Sequence, residues 1–399
     1  MRKTINIGDL GTIITGKTPP TTNKNYYGDY AVFIKPTDIS EQSKYTYETE
    51  EMYSKLAAEK YESSLIPKGA ICVPCIGTIG TKMTMAPCDC YTNQSINSII
   101  CNENYDNEYV YYLIKNFLPG LKAYNLGTAS GREYVSKSNF EKIELVAEQD
   151  KEIQKKIGVI LSRYDSLIEN YQKQIKLLEE AAQRLYKEWF VDLRFPGHEN
   201  TKIVDGVPEG WEKKKVNSII ELQSGFAFKS STFDDNGAYK IVTIKNVKDG
   251  AFDGDNVSKI VAIPDKMPKH CILADGDILL SLTGNVGRVC IVNGKNYLLN
   301  QRVAKLATDY KAFTYCLFRS RDMFIEVNNL ANGAAQQNVS PIRIGEMKIL
   351  LPNSELLQEF ESIVFKSIAR IISLQSQLHL LTEARDRLLP KLMSGDIEI

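Results

Sequence analysis

The chain has 399 residues, which at roughly 150 per domain gives two to three domains. Its 43% hydrophobic and 25% charged residues are those of an ordinary globular protein and exclude collagen-like, disordered and disulfide-scaffold classes. Basic and acidic residues balance at 49 each, which excludes a protein held on nucleic acid by bulk charge alone.

From the N-terminus, Met1–Asp9 carries no apolar signal-peptide core, and no run of about 18 apolar residues follows anywhere. Eight cysteines in such a chain read as reduced thiols of a cytoplasmic protein. Gly11-Thr12-Ile13-Ile14-Thr15-Gly16-Lys17-Thr18 matches the phosphate-cradling P-loop pattern. That chemistry needs a helix to begin at Lys-Thr, and Pro19-Pro20 prevents one. Ala31–Ile34 reads as a strand. Cys72-x2-Cys75 with Cys88-x-Cys90 has the makings of a zinc site.

A repeat decides against that zinc site. Residues 65–80 echo residues 272–287, with Gly69, Gly77 and Gly80 falling on Gly276, Gly284 and Gly287 at a shift of 207. Asn93-Gln94 falls on Asn300-Gln301 at the same shift, and Asn125-Leu126 and Val135-Ser136 on Asn329-Leu330 and Val339-Ser340 at 204. The chain is a duplication. The second copy places Leu279, Leu282, Lys295 and Tyr297 where the first has its cysteines, so the fold is expected to need no metal.

A long helix ends each copy. In the first, Ile153, Ile157, Ile160, Tyr164, Leu167 and Tyr171, then Ile175, Leu178, Ala182, Leu185 and Trp189, make an apolar seam. Phe195-Pro196-Gly197 forms a linker, and Tyr239–Ile244 is the second copy's early strand. The second helix, bracketed by Pro352 and Pro390, carries Leu357, Phe360, Val364, Ser367, Ile371, Leu374, Leu378 and Leu381 in 4-3 alternation. Each helix spans about 55–60 Å. Two related seams in one chain are expected to pack on each other.

Catalytic motifs are missing. The three histidines, His198, His270 and His379, fall in a linker, a loop and a helix. No G-x-S-x-G, H-E-x-x-H or Asn/Asp-Pro-Pro-aromatic sequence occurs. What recurs instead is loop chemistry suited to reading bases, where Asn and Gln pair with adenine and Arg or Lys with guanine. Thr78, Thr81 and Lys82 match Asn285 and Arg288. Asn93-Gln94 matches Asn300-Gln301-Arg302, and Ser130 with Arg132 matches Gln336-Gln337-Asn338. Lys17 and Lys229 complete the candidate DNA contacts. Residues 1–150 hold 15 basic and 18 acidic residues, and residues 205–352 hold 19 and 16, so any such surface is a local patch.

Several motifs together resemble the DNA-specificity (S) subunit of type I restriction-modification systems. They are Pro208-Glu209-Gly210-Trp211, Leu185–Asp192, Gly276–Ser281, Arg387–Gly395 and Glu148-Gln149. The sequence departs from the family pattern at Ala147, where proline is usual, at Leu356-Leu357-Gln358, and in lacking Pro-x-Gly-Trp before the first domain. The resemblance implies an α+β chain of two tandem α/β target recognition domains, residues 1–147 and 208–352. Helices over 148–192 and 353–393, separated by a linker at 193–207, would pair as an antiparallel coiled coil. It also implies a non-catalytic subunit that reads a bipartite site in double-stranded DNA. Two modification subunits carrying S-adenosylmethionine, and restriction subunits, would join it, with no cofactor on this chain. The alternatives are a P-loop-type nucleotide-binding enzyme and a duplicated protein-binding scaffold without DNA specificity.

Overall fold

The computed structural model describes residues 2–127, 131, 133–255, 257–331 and 337–399. It divides into two compact units, Met1–Asn170 with Leu380–Ile399, and Tyr171–His379.

In unit one, β1 (Arg2–Asn6) meets β8 (Glu144–Glu148) antiparallel, with Thr4 opposite Val146. Strand β8 alternates as a one-faced strand should, with Leu145 and Ala147 buried and Val146 exposed. An antiparallel sheet runs in the order β2 (Gly11–Thr15), β7 (Ile96–Cys101), β4 (Ile71–Pro74), β5 (Thr84–Met85). A smaller sheet contains a parallel pair, β3 (Ala31–Ile34) beside β6 (Tyr91–Thr92). Helix α1 (Asn107–Phe117) starts at Asp106, whose carboxylate accepts the Tyr109 N–H at 3.0 Å. Helix α2 (Lys151–Tyr186) starts at Asp150, which accepts the Ile153 N–H, and closes in a π turn over Lys187–Val191.

Unit two repeats the outer pair, the main sheet and the parallel pair of this plan. Strand β9 (Glu212–Lys215) pairs with β16 (Lys348–Leu351). The main sheet runs β10 (Glu221–Ser224), β15 (Val303–Ala307), β12 (Ile278–Ser281), β13 (Val289–Ile291). Strand β11 (Tyr239–Val242) lies parallel to β14 (Tyr297–Leu299). Helix α3 (Lys311–Arg319) corresponds to α1, and α4 (Ser354–Ser394) begins at Asn353, which accepts the Leu356 N–H at 2.9 Å. The strands expected at 31–34 and within 239–244 are both present. The six glycines matched at a shift of 207 all have φ between +73° and +94°, where a Cβ is strained. The repeat therefore preserves backbone conformation as well as letters.

Each unit's core takes in both helices. In unit one, Ile157 and Leu161 of α2 share a core with Val73, Val110 and Phe140, joined by Leu389, Leu392 and Met393 of α4. In unit two, Leu357, Phe360 and Val364 of α4 share a core with Leu280, Leu306 and Phe313, joined by Ala182, Tyr186, Trp189 and Phe190. The Phe190 and Phe360 rings are 4.9 Å apart. Each helix's beginning thus lies with the other's end, and the helices pair antiparallel.

Three expectations about the helices need correction. Leu167 is 38% exposed and Ile168 is buried, and Leu161 is more deeply buried than Ile160. In α4 the buried residue is Ile368 rather than Ser367. The cause is that one flank of each helix packs on a domain while another faces the partner helix, so the buried stripe is wider than a strict 4-3 seam. Pro390 does not end α4, which continues to Ser394. It stops at Gly395, whose φ of +87° and N–H bond to the Lys391 carbonyl close the last turn.

Candidate nucleic-acid interface

Three loop segments meet at one end of the two central strands of each domain's main sheet, and backbone hydrogen bonds hold them there. In unit one, the Cys75 N–H donates to the Ser95 carbonyl at 2.7 Å, and the Val135 N–H donates to the Cys75 carbonyl at 2.8 Å. Unit two has the same pair: Leu282 N–H to the Arg302 carbonyl at 3.0 Å, and Val339 N–H to the Leu282 carbonyl at 2.9 Å. The residue just after β4 or β12 is therefore gripped between the Asn-Gln turn and the returning third segment. Ile76-Gly77 then pairs with Glu133-Tyr134. In the same place Thr283 bridges Asn338, its hydroxyl donating to Asn338 Oδ1 at 2.8 Å.

The Asn-Gln turn divides its labour. Asn93 Oδ1 accepts the Ser95 N–H at 3.0 Å, and Asn300 Oδ1 accepts the Arg302 N–H at 3.2 Å. Backbone bonds from Asn93 to the Ile34 carbonyl and from Asn300 to the Val242 carbonyl moor both turns to the smaller sheets. A glycine is required opposite. A Cβ on Gly16 would stand 2.1 Å from the Thr92 oxygen, and one on Gly225 2.2 Å from the Asn300 oxygen. The asparagines are thus built into the turn, which leaves Gln94, Gln301 and Arg302 exposed at its tip.

The other sequence-predicted residues distribute as follows. Thr78 is exposed, while Thr81 and Lys82 are half-buried, and Thr81 Oγ1 has no hydrogen-bond partner among the described residues. Lys17 is exposed, its Nζ reaching Ser63 Oγ at 3.3 Å, and its neighbour Thr18 donates to Gln94 Oε1. Asn285 is exposed and Arg288 half-buried. The Arg288 backbone is fixed by its N–H to Ser281 Oγ at 2.9 Å. Gln337 is exposed and its carbonyl accepts the Gly284 N–H, while Asn338 is also exposed. Ser130, Arg132 and Gln336 lie outside the described residues. Lys229 is exposed at the start of the 3-10 turn Ser230–Thr232, and no described hydrogen bond ties its side chain to the cluster.

One segment escaped the sequence reading. Lys35-Pro36-Thr37-Asp38 and Thr243-Ile244-Lys245-Asn246 follow β3 and β11, hence lie next to the Asn-Gln turn. Asp38 accepts the Lys35 N–H and Asn246 accepts the Thr243 N–H, both at 2.8 Å. The built turn is the same, and its tip offers exposed Thr37 in one copy and exposed Lys245 in the other. The matching shift of 208 was the available signal; only Asp and Asn share chemistry across it.

Nucleotide and metal readings lose their geometry. Gly11–Thr15 is a strand and Lys17-Thr18 continues into a loop without a helix, so the P-loop match is coincidental. Burial pushes the Cys72 and Cys75 thiols up to about 12, as for cysteines packed in an apolar core. Among the described residues no group of three or more His, Cys, Asp or Glu is placed to hold a metal. Nor is any helix among them long and apolar enough to cross a membrane.

Residues 2–180 and 208–380 each match the family model of the type I restriction modification DNA specificity domain. The chain belongs to this family. The two matched stretches are the two copies of the repeat. The chain is 28% identical to the type I restriction enzyme MjaIX specificity subunit of Methanocaldococcus jannaschii, over 98% of this chain and 93% of that one. It is 30% identical to the MjaVIII specificity subunit of the same organism, over 75% and 72%. Its fold is shared with the crystal structure of the type I restriction-modification S subunit from M. genitalium. The TM-score is 0.60 at 18% identity, over 98% of this chain and 96% of that one.

Proposed function

We infer that the chain is the sequence-specific DNA-recognition subunit of a type I restriction-modification complex, each domain reading one half of a bipartite, asymmetric site. The observation that carries this is the loop cluster built twice. Backbone bonds, left-handed glycines and turn asparagines are held in common, while the exposed tips differ, as at Thr37 and Lys245 or Thr78 and Asn285, except for the shared Gln94 and Gln301. A common frame with differing tips is what two readers of unlike half-sites require. For the second half-site the candidate contacts are Asn285, Arg288, Gln301, Arg302, Gln336, Gln337 and Asn338. For the first they are Lys17, Thr78, Lys82, Gln94 and Arg132. Asn93 and Asn300 support the loops, Thr81 stays a candidate contact for the first half-site, and Lys229 contributes at most a peripheral phosphate contact.

The chain performs no chemistry in this reading. Methylation belongs to two modification subunits that bring S-adenosylmethionine, and cleavage to restriction subunits. Those partners share the grip on the phosphates, which accommodates a net charge of zero. Reconstitution with the modification subunits and mapping of methylated adenines tests the reading. A single bipartite motif is expected; methylation without sequence preference, or none when this chain alone is omitted and none when it is restored, would overturn it.

A further inference from the structure

Unit one contains a buried ion pair between the helices. Arg385 Nη1 lies 2.5 Å from Asp165 Oδ1, with 7% and 4% of the two side chains exposed. Asp165 Oδ2 accepts the Tyr112 hydroxyl at 2.5 Å, and the Arg385 Nε donates to Asp386 at 2.9 Å. The duplication identifies what stands at the equivalent place in unit two. The helices start at equivalent residues, Asp150 and Asn353, each accepting the N–H three positions on. Fifteen residues beyond them lie Asp165 and Ile368; thirty-two beyond lie Ala182 and Arg385. Ile368 and Ala182 are both buried in the core of unit two. Counting eight residues along each helix from the touching Phe190 and Phe360 rings also arrives at Ala182 and Ile368. One unit thus has an ion pair where the other has an apolar pair.

A duplicated chain has a hazard of its own. Two helices with a common ancestor each resemble the other's partner, so a copy of α2 competes for the groove that α4 fills. We propose that Asp165 and Arg385 make each half refuse a copy of itself, so that α4 alone fits unit one and α2 alone fits unit two. A second copy of α2 on unit one would bring alanine to Asp165 and leave its buried carboxylate without the guanidinium, the Tyr112 hydroxyl being its one remaining described hydrogen-bond donor. A second copy of α4 on unit two would drive the Arg385 guanidinium against Ile368. Each mismatch strands a buried charge, and a two-fold self-pairing strands two. A lone buried polar contact setting partner and register is the established use of such groups in paired helices. This inference is independent of the DNA reading, since it concerns only which helix segment each groove accepts.

Full-length variants test it by their mass in solution, from light scattering after refolding at micromolar concentration, with circular dichroism to follow folding. The wild type and Arg385→Ala are expected to be monomers. Ala182→Arg with Arg385→Ala strands charges within one chain but satisfies them all when like halves pair between chains, so it should self-associate. Asp165→Ile with Ile368→Asp should do the same by the mirror argument. All four substitutions together restore complementarity within the chain and should return a monomer. Two double variants that remain folded monomers with the wild-type melting midpoint would overturn the proposal. So would a fourfold variant that associates like the doubles or does not fold. Where a double variant does not fold, a folded monomeric fourfold variant still supports it.

Discussion

Asn300 and Gln301 adjoin in sequence and are chemically alike, yet their surroundings assign them opposite work. The Asn300 side-chain oxygen accepts the Arg302 N–H, while Gln301 is exposed with no described partner for its side chain. Asn300→Ala should therefore cost about 0.5–1.5 kcal/mol of stability, the net value of one such hydrogen bond, and lower the melting temperature. Gln301→Ala and Arg302→Ala should leave melting unchanged. Each should weaken binding to the cognate duplex by about 1–3 kcal/mol if it reads a base, with less loss on a scrambled duplex. Lys311→Ala serves as the control, because Lys311 opens α3 and its Nζ reaches back to the Gly276 carbonyl at 3.4 Å. Binding isotherms at two salt concentrations, run with the modification subunits, separate these outcomes. Equal loss on both duplexes with a flatter salt slope would make Arg302 a phosphate contact. The letters alone made Asn and Gln interchangeable here, since the difference lies in a hydrogen bond to a backbone two residues on.

Among the elements, the helix pair contains a buried ion pair whose loss of one partner leaves a buried charge. Arg385→Ala leaves Asp165 buried beside a Tyr112 hydroxyl that burial and the carboxylate itself already push far above its ordinary pKa. The expected loss is about 3–5 kcal/mol, read as a lower urea midpoint, whereas Tyr112→Phe should cost about 1 kcal/mol or slightly more. Comparable midpoints for the two variants would show that the guanidinium is not needed to neutralise Asp165. The seams of both helices were visible as period, and the strands Ala31–Ile34 and Tyr239–Val242 as β-branched runs, because both signals are local. The parallel partners of those strands, Tyr91–Thr92 and Tyr297–Leu299, come some 60 residues later and carry no local mark of their pairing. Arg385 was equally hidden: a charged residue in a seam looks like a solvated one until its partner, 220 positions away, is found.

For the whole molecule, the decisive fact is that unit one is assembled from two distant stretches of chain, whereas unit two is one continuous stretch. Helix α2 runs unbroken across the boundary between the units at Asn170 and Tyr171. Four residues inserted between Gln172 and Leu177 add about 6 Å and about 400° of turn, so the buried stripe stays nearly in phase on both sides. The chain should assemble and read the same half-sites with about two more base pairs between them. Two inserted residues turn the stripe by about 200° and should abolish assembly. Equal behaviour of the two insertions would show that the helix does not set the spacing. Exchange of the first domain asks a stricter question, because unit one includes Leu380–Ile399 and its core contains Leu389, Leu392 and Met393. Replacing residues 1–147 by those of a homologue leaves these three side chains facing foreign packing, at about 1–3 kcal/mol for each poorly accommodated residue. Replacing residues 380–399 from the same homologue as well restores the native contacts. Both chimeras should change one half of the methylated motif and leave the other untouched, and the second should melt at a higher temperature than the first. Methylation mapping beside calorimetry distinguishes the cases. A change in both half-sites would mean that the loop clusters do not read independently, and equal melting would mean that the end of α4 contributes nothing specific to the first domain's core.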